Sequence, residues 1–393
     1  MREIVISSAV RTAIGKFQGS LATVKAPELG SCTVKEALNR AGVKPERVEE
    51  VLMGIILQAG VGQNPARQAL IGAGIPDTVG ATTINKVCGS GLKSVVMAAQ
   101  AIKAEDVDLV VAGGMENMSQ APYLLRKARE GYRLGHGQLE DYMVADGLWD
   151  VYNNFHMGNT AELVVKEYGI SREEQDEYAV ASQNKASKAQ KNGAFEKEIV
   201  PLEVKQRKSS FTFATDEGIR HDATVEGMAK LRPAFQRDGG TVTAGNASTI
   251  NDGAAALVVT HREYAEKNNL PVMAKIRAYA TGGMDPKWVM MTPVVAIEKA
   301  LAKAGLKRDE IEIFEINEAF AAASVAVVRK LEIDPELVNI RGGAIALGHP
   351  IGASGARILT TLLYTMEAES KRLGCAALCL GGGNAVAMIV ERN

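Results

Sequence analysis

Residues 84–103 read INKVCGSGLKSVVMAAQAIK. Gly89 and Gly91 mark a turn after Ile84, and the apolar residues that follow recur at three- and four-residue intervals, which predicts a helix over Gly91–Lys103. The pattern returns downstream, where Ala353-Ser354-Gly355-Ala356-Arg357 reads against Gly89-Ser90-Gly91-Leu92-Lys93 at an offset of 264 residues (91 to 355). Ala41-Gly42-Val43-Lys44 likewise matches Ala304-Gly305-Leu306-Lys307 at 263 (41 to 304), and Gly113-Gly114 matches Gly381-Gly382 at 268 (113 to 381). Three matches in one order at nearly one offset predict two related units, at a spacing far beyond the ~20–50-residue period of a solenoid.

Compact apolar runs predict buried strands at Ile4–Ile6, Val51–Met53, Leu109–Val111, Ala255–Val259, Ile311–Phe314 and Ala376–Leu380. Helical periodicity over Glu28–Ala41, Val294–Ala304 and Gly355–Glu367 separates several of them, with Gly42 and Gly305 standing where C-cap glycines belong. The alternation makes this an α/β chain. From about Ser119 to Gly245 the sequence is richer in charge and turns, with helical patterns around Gly158–Glu167 and Glu173–Lys191, and reads as an inserted or accessory region.

The 393 residues carry 45 Lys+Arg against 46 Asp+Glu, a net charge of −1, which argues against a globally basic nucleic-acid binder. Four cysteines are too few for a disulfide scaffold. The 39 glycines, about one residue in ten against a usual ~7 %, matter through their positions. An apolar strand begins within MREIVISSAVRT and no apolar run approaches ~18 residues, so the expectation is a soluble, cytoplasmic protein without a membrane span. His-Glu-x-x-His, a P-loop and a complete dinucleotide fingerprint are all missing, and Cys375 and Cys379 are separated by three residues where a zinc knuckle has two.

Cys88, placed before a helix, reads as a nucleophile whose thiolate the helix terminus would favour, or as a small buried hydrophobe. His349 lies in Gly342-Gly343-Ala344-Ile345-Ala346-Leu347-Gly348-His349-Pro350-Ile351-Gly352-Ala353-Ser354-Gly355, the counterpart of the Cys88 turn in the second unit. A histidine held between glycine and proline suits a base, and an inert turn histidine is the alternative. Cys379 opens Cys379-Leu380-Gly381-Gly382-Gly383-Asn384 at the carboxyl end of a predicted strand, where ligands of α/β sheets bind and glycine amides can face a developing oxyanion. Cys32 and Cys375 read as packing residues. In the middle region Lys205, Arg207, Lys208, Arg220 and Lys230 read as a solvated basic face or as a phosphate-binding mouth. His156-Met157-Gly158-Asn159-Thr160-Ala161-Glu162 reads as a helix entry capped by Asn159 or Thr160, and Gly245–Gly253 as a small-residue turn able to line a ligand channel.

Asn85–Gly91, Gly113–Met118, His156–Glu162, Gly245–Gly253, Asn317-Glu318-Ala319-Phe320, Gly342–Gly355 and Cys379–Gly383 together, in this order, resemble the thiolase family over essentially the whole chain, and within it the acetyl-CoA acetyltransferase (acetoacetyl-CoA thiolase) type. The resemblance implies a thiolase fold of two related layered α-β-α-β-α halves. Its N-terminal domain would span 1–118 plus about 247–270, a loop domain 119–246, and the C-terminal domain 271–393. It implies reversible Claisen condensation of two acetyl-CoA to acetoacetyl-CoA and CoA, with Cys88 as acyl-accepting nucleophile, His349 as its base, and Cys379 as acid or base at the alpha carbon of the second substrate. Asn317, through an oriented water, would form one oxyanion hole with His349; the amides of Cys88 and Gly381 would form the other. His156, Met157, Arg220 and Ser248 match positions near coenzyme A or a short acyl pocket. The implied partners are CoA thioesters as substrates and identical subunits in a homotetramer, a dimer of dimers, with no permanent cofactor, metal, nucleic acid or membrane. A broader-specificity 3-ketoacyl-CoA thiolase is the other reading within the family. Arg341, Thr292 in Met290-Met291-Thr292-Pro293, and Asn384-Ala385 depart from the family's usual residues. Gly54 and Asn317, 263 residues apart, are expected to end equivalent strands.

Overall fold

The computed structural model describes residues 2–206 and 209–392. Its sheet is built mainly from β1 (Ile4–Thr12), β2 (Glu50–Gly54), β3 (Gly80–Ile84), β4 (Leu109–Asn117), β5 (Asn251–His261), β6 (Ala274–Gly283), β7 (Ile313–Ile316), β8 (Leu373–Leu380) and β9 (Asn384–Glu391). Their order is β7-β8-β9-β6-β1-β5-β4-β2-β3, with Ile199–Val200 added beside β1 and Gly15–Lys16 beside β5. The path is nearly severed in the middle, since β1 and β6 share only the pairs Val5–Lys275 and Ile6–Ala274.

On either side of that seam the topology repeats. In the first half β2 runs parallel to β4, β4 antiparallel to β5, and β5 antiparallel to β1. In the second, β7 runs parallel to β8, β8 antiparallel to β9, and β9 antiparallel to β6. Even the edge strand has its counterpart: β3 pairs parallel with β2, as Val338 bridges parallel to Phe314 of β7. Gly54 ends β2 beside Gly114, and Asn317 directly follows β7 with its N–H donating to Ala377 O. Register corrects one of the internal matches. Met53 pairs with Gly113 and Ile316 with Ala377, so Gly113-Gly114 corresponds to Ala377-Leu378, at an offset of 264 (113 to 377), while Gly381-Gly382 lies in the turn beyond β8.

Most of the helices follow the predicted periodicity; the one over Ala321–Lys330 was not expected. The helices include α1 (Ala26–Ala41), α2 (Ser90–Lys103), α3 (Met157–Tyr168), α4 (Arg172–Lys191), α5 (Thr292–Ala304), α6 (Ala321–Lys330) and α7 (Ser354–Ala368). Gly42 and Gly305 cap α1 and α5 with φ of 67° each. Three strands escaped the pattern. β3 is a half-exposed edge reading Gly-Ala-Thr-Thr-Ile and β6 alternates buried with more exposed positions, whereas sequence reading simply missed the apolar run Ala385–Val390 of β9.

Helices α2 and α7 share one core with residues from both halves, among them Leu92, Val95, Ile358, Leu362, Ala112 and Leu378. α1 packs in a second core with β1 and β5, and α5 and α6 in a third with β7 and β8. The result is a five-layer α-β-α-β-α stack of two similar halves. Residues along β8 alternate between cores: Cys375, Ala377 and Cys379 face one, Ala376, Leu378 and Leu380 the other. A strand buried on both faces is apolar throughout, which is why this one was legible as a run. In the middle of the molecule α2 and α7 cross closely. A Cβ on Gly91 would lie 2.8 Å from Ala356 N, and one on Gly355 2.4 Å from Leu92 N, so only glycine fits at either position.

Between β4 and β5 the chain carries α3, α4 and three two-stranded ribbons, Tyr123–Leu124 with Glu140–Asp141, Trp149–Asp150 with Phe155–His156, and Leu202–Lys205 with Ser210–Phe213. A buried ion cluster ties this region back to the sheet, because Arg11 of β1 bonds Glu198 and both carboxylate oxygens of Asp216. Arg341, one of the departures from the family's usual residues, donates to Ala194 O, just past α4, and to Tyr364 O near the end of α7. It therefore joins two helix C-termini, where a cation is favoured.

Candidate functional site

The crossing of α2 and α7 brings the loops that precede them to one place. The His349 loop is held from several directions. Asn251 of β5 accepts from His349 N at 2.9 Å and donates to Gly15 O, and Glu116 of β4 accepts from Gly352 N, Ile56 N and Leu57 N. Glu318 accepts from Ile345 N and Ser182 Oγ. Burial raises the Glu116 carboxyl to about 7.

Ser354, the first residue of α7, decides the state of the imidazole. Its Oγ lies 2.6 Å from His349 Nδ1 and 2.9 Å from Pro350 O. A carbonyl can only accept, so the single hydroxyl proton goes to Pro350 and Oγ accepts from Nδ1–H; the ring's lone pair is then on Nε2. Burial, reinforced by the nearby Arg357 cation, lowers His349 to about 3, so the ring is neutral at pH 7. Asn317 lies against the same ring, with Nδ2 3.5 Å from Nδ1. Its buried Oδ1 has no protein partner among the described residues.

Cys88 stands two residues before α2, whose N-cap is Gly89. Contrary to the expectation of a favoured thiolate, burial and the neighbouring Cys379 push its thiol up to about 12, although the backbone amides of Gly381 and of Cys88 itself oppose the rise. The desolvation cost of an anion in this enclosure outweighs the helix terminus. Cys379, the penultimate residue of β8, is likewise held as a thiol by burial, at about 12.

Cys88, His349, Cys379 and Gly381 line one cavity of about 630 Å³ together with His156, Met157, Arg220 and Ser248. Asn317 meets the site through His349. The Gly245–Gly253 turn supplies Ala247, Ser248, Thr249 and Ile250 to the wall. The helix entry differs from the reading: α3 starts at Met157, and its cap is His156, whose Nδ1 accepts from Gly158 N, while Thr160 bonds back to Met157 O. Of the basic residues named in the middle region, Arg220 borders the cavity, which Lys16 also lines; Lys205 and Lys230 are exposed elsewhere, and Arg207 and Lys208 lie outside the described residues. Sequence reading missed Phe235, which stacks on His156 at 4.8 Å and meets Phe320 edge-on at 6.0 Å. It is a lone aromatic in a charged, aperiodic stretch, with no local signal of its place. Ser354 was inside a quoted motif, but its partner was invisible without the loop's path. Among the described residues no three His, Cys, Asp or Glu side chains cluster as a metal site.

Two similar α/β halves meet over one cavity that holds two thiols and a neutral imidazole, groups of the kind that serve covalent sulfur chemistry. Comparison with known proteins makes the assignment specific. The thiolase N-terminal domain family matches residues 4–263 and the thiolase C-terminal domain family residues 270–392, so the chain belongs to the thiolase family. It is 57 % identical over 393 residues, all of both chains, to an acetyl-CoA acetyltransferase of Cupriavidus necator. It is 56 % identical, again over all of both chains, to one from Escherichia coli. The crystal structure of the Bacillus anthracis acetyl-CoA acetyltransferase superposes with a TM-score of 0.98 at 43 % identity, covering 100 % of this chain and 99 % of that one.

Proposed function

We propose that this thiolase is an acetyl-CoA acetyltransferase, condensing two acetyl-CoA to acetoacetyl-CoA and CoA, and reversing the reaction, through an acetyl group carried on Cys88. The observation that carries the reading is the convergence of Cys88, His349 and Cys379 on one cavity that Gly381 also lines. Both thiols are protonated at rest, so each step must move a proton as well as a bond. Cys88 Sγ attacks the thioester carbonyl while His349 Nε2 takes its proton, and the departing CoA sulfur takes a proton from Cys379. Cys379, now a thiolate, removes an alpha proton from the second acetyl-CoA, and the enolate carbon attacks the acetyl-cysteine. Expulsion of Cys88 sulfur, which recovers its proton from His349, returns every group to its starting state.

The amides of Cys88 and Gly381 serve as the oxyanion hole for the acyl-enzyme carbonyl, and Asn317 with His349 for the second thioester, with an oriented water between them. The unpartnered Asn317 Oδ1 supports that role. Met157, Met290, Phe235 and Phe320 wall the cavity with apolar bulk suited to a short acyl chain, and Arg220 and Ser248, which line the same cavity, are assigned to the CoA part. The exposed Tyr123, Leu134 and Leu139 on segment 121–141 support assembly into a homotetramer.

Incubation with acetyl-CoA followed by peptide mass spectrometry should find acetyl on Cys88 and acetoacetyl-CoA in solution. Cys88→Ser should remain folded and lose acyl labelling entirely. Labelling at another residue at the wild-type rate would reject the assignment.

A further inference from the structure

The turn carrying the nucleophile and the glycine turn after β8 come from different halves of the molecule, yet they interlock. Val87, immediately before Cys88, has φ of 46°, a left-handed backbone that a β-branched residue adopts only when its surroundings impose it. Three local hydrogen bonds hold it there: Val87 N donates to Asn85 Oδ1, Lys86 N to Ser90 Oγ, and Ser90 Oγ to Val87 O. The unusual backbone turns the Val87 side chain onto Gly381. A Cβ there would lie 3.2 Å from Val87 Cγ1. The contact is reciprocal, since Leu380 covers Gly89 so closely that a Cβ on Gly89 would lie 2.4 Å from Leu380 Cδ2.

A third contact continues the series. Lys86 Nζ donates to Asn384 Oδ1 at 3.2 Å. Thr292 Oγ, at the start of α5, shares its proton between the Asn384 carbonyl at 2.7 Å and Val289 O at 2.6 Å. Two of the residues that depart from the family's usual pattern, Thr292 and Asn384, thus belong to one linkage. Residues 86, 87 and 89 of one turn meet 384, 381 and 380 of the other, with Cys88 and Cys379 at its inner end.

We propose that Val87 is a positioning residue: its side chain, pressed on Gly381 and backed by the Lys86–Asn384 hydrogen bond, sets the Gly381 amide against the Cys88 sulfur. The inference rests on the reading of Cys88 as the acyl carrier. A displacement of that amide by a fraction of an ångström would weaken oxyanion stabilisation in the transition state more than substrate binding.

The test compares Val87→Ala, which removes the atoms over Gly381, with Val87→Thr, which keeps their shape, and with Asn384→Ala from the opposite side. Stopped acetylation of Cys88 and steady-state condensation are measured for each. Val87→Ala should lower both rates about tenfold or more with KM for acetyl-CoA within about twofold, and Val87→Thr should stay within about threefold of wild type. Asn384→Ala should lower kcat several-fold, and combined with Val87→Ala it should lose less than the product of the two single losses. The proposal is overturned by a Val87→Ala enzyme with wild-type acetylation, by a loss confined to KM, by an equal loss in Val87→Thr, or by multiplicative losses in the double variant. Should wild type itself form no acetyl-Cys88, it is the reading of the reaction that fails.

Discussion

In the proposed reaction the attacking sulfur starts as a neutral thiol, because Cys88, though partly exposed at the cavity wall, is packed where an anion is poorly solvated. A free thiol near 8.5 would be a few per cent ionised at pH 7; at about 12 Cys88 is far less so, and the cost is met only when His349 takes the proton during attack. Below its pKa a thiol ionises tenfold more per pH unit. Alkylation of Cys88 by iodoacetamide in the substrate-free enzyme should therefore keep rising from about pH 7 to about pH 10, and levelling near 8.5 would contradict the buried-thiol description. Cys379 is separable from it by the step it serves. Cys379→Ser should still acetylate Cys88, more slowly, and lose condensation by about a hundredfold or more, since a hydroxyl is a poorer proton carrier at the alpha carbon; near-normal acetoacetyl-CoA formation would remove it from the mechanism. Both cysteines and His349 were legible as candidates from their glycine-flanked positions. Their protonation was not, since burial, which dominates it, is a property of the folded surroundings.

At the scale of elements, α2 and α7 do for the site what no single loop could. Their crossing at Gly91 and Gly355 sets two helix starts side by side, and the reactive loops are simply the residues that precede those starts. Replacing Gly355 by Val drives side-chain atoms into Leu92 backbone that cannot retreat without separating the helices. The expected cost is about 1–3 kcal/mol of stability, read as a lower midpoint in urea unfolding, together with a loss of kcat larger than the loss of folded fraction. A Gly355→Val enzyme with unchanged midpoint and kcat would mean that the close approach is dispensable. Six of the seven helices α1–α7 were readable from apolar spacing to within two residues at either end, because period 3.6 is written locally, and α6 was missed. The cap of α3 was misread: His156 does by its ring nitrogen what Asn159 or Thr160 was expected to do by an oxygen, one turn earlier.

For the whole molecule, the apolar side chains of Tyr123, Leu134 and Leu139 in segment 121–141 stand exposed, and assembly into a homotetramer would cover them. Sedimentation should find a tetramer for the wild type, and Leu134→Asp with Leu139→Asp should shift it to dimers with the fold intact; an unshifted tetramer would remove this segment from the assembly. The duplication behind the fold was present in the sequence, in matches at offsets near 264, because each half repeats its own local syntax of strand, glycine turn and amphipathic helix. The identities of the groups able to react were there too. What only tertiary structure decided was relation: that Gly113-Gly114 corresponds to Ala377-Leu378, that Ser354 orients His349, that Phe235 from a distant turn walls the cavity, and that Val87 rests on Gly381. Apart from Ser354 and His349, which are five positions apart, these relations join residues tens to hundreds of positions apart. Local pattern carries propensity and periodicity, while register, burial and proton affinity arise only when separate segments exclude water together.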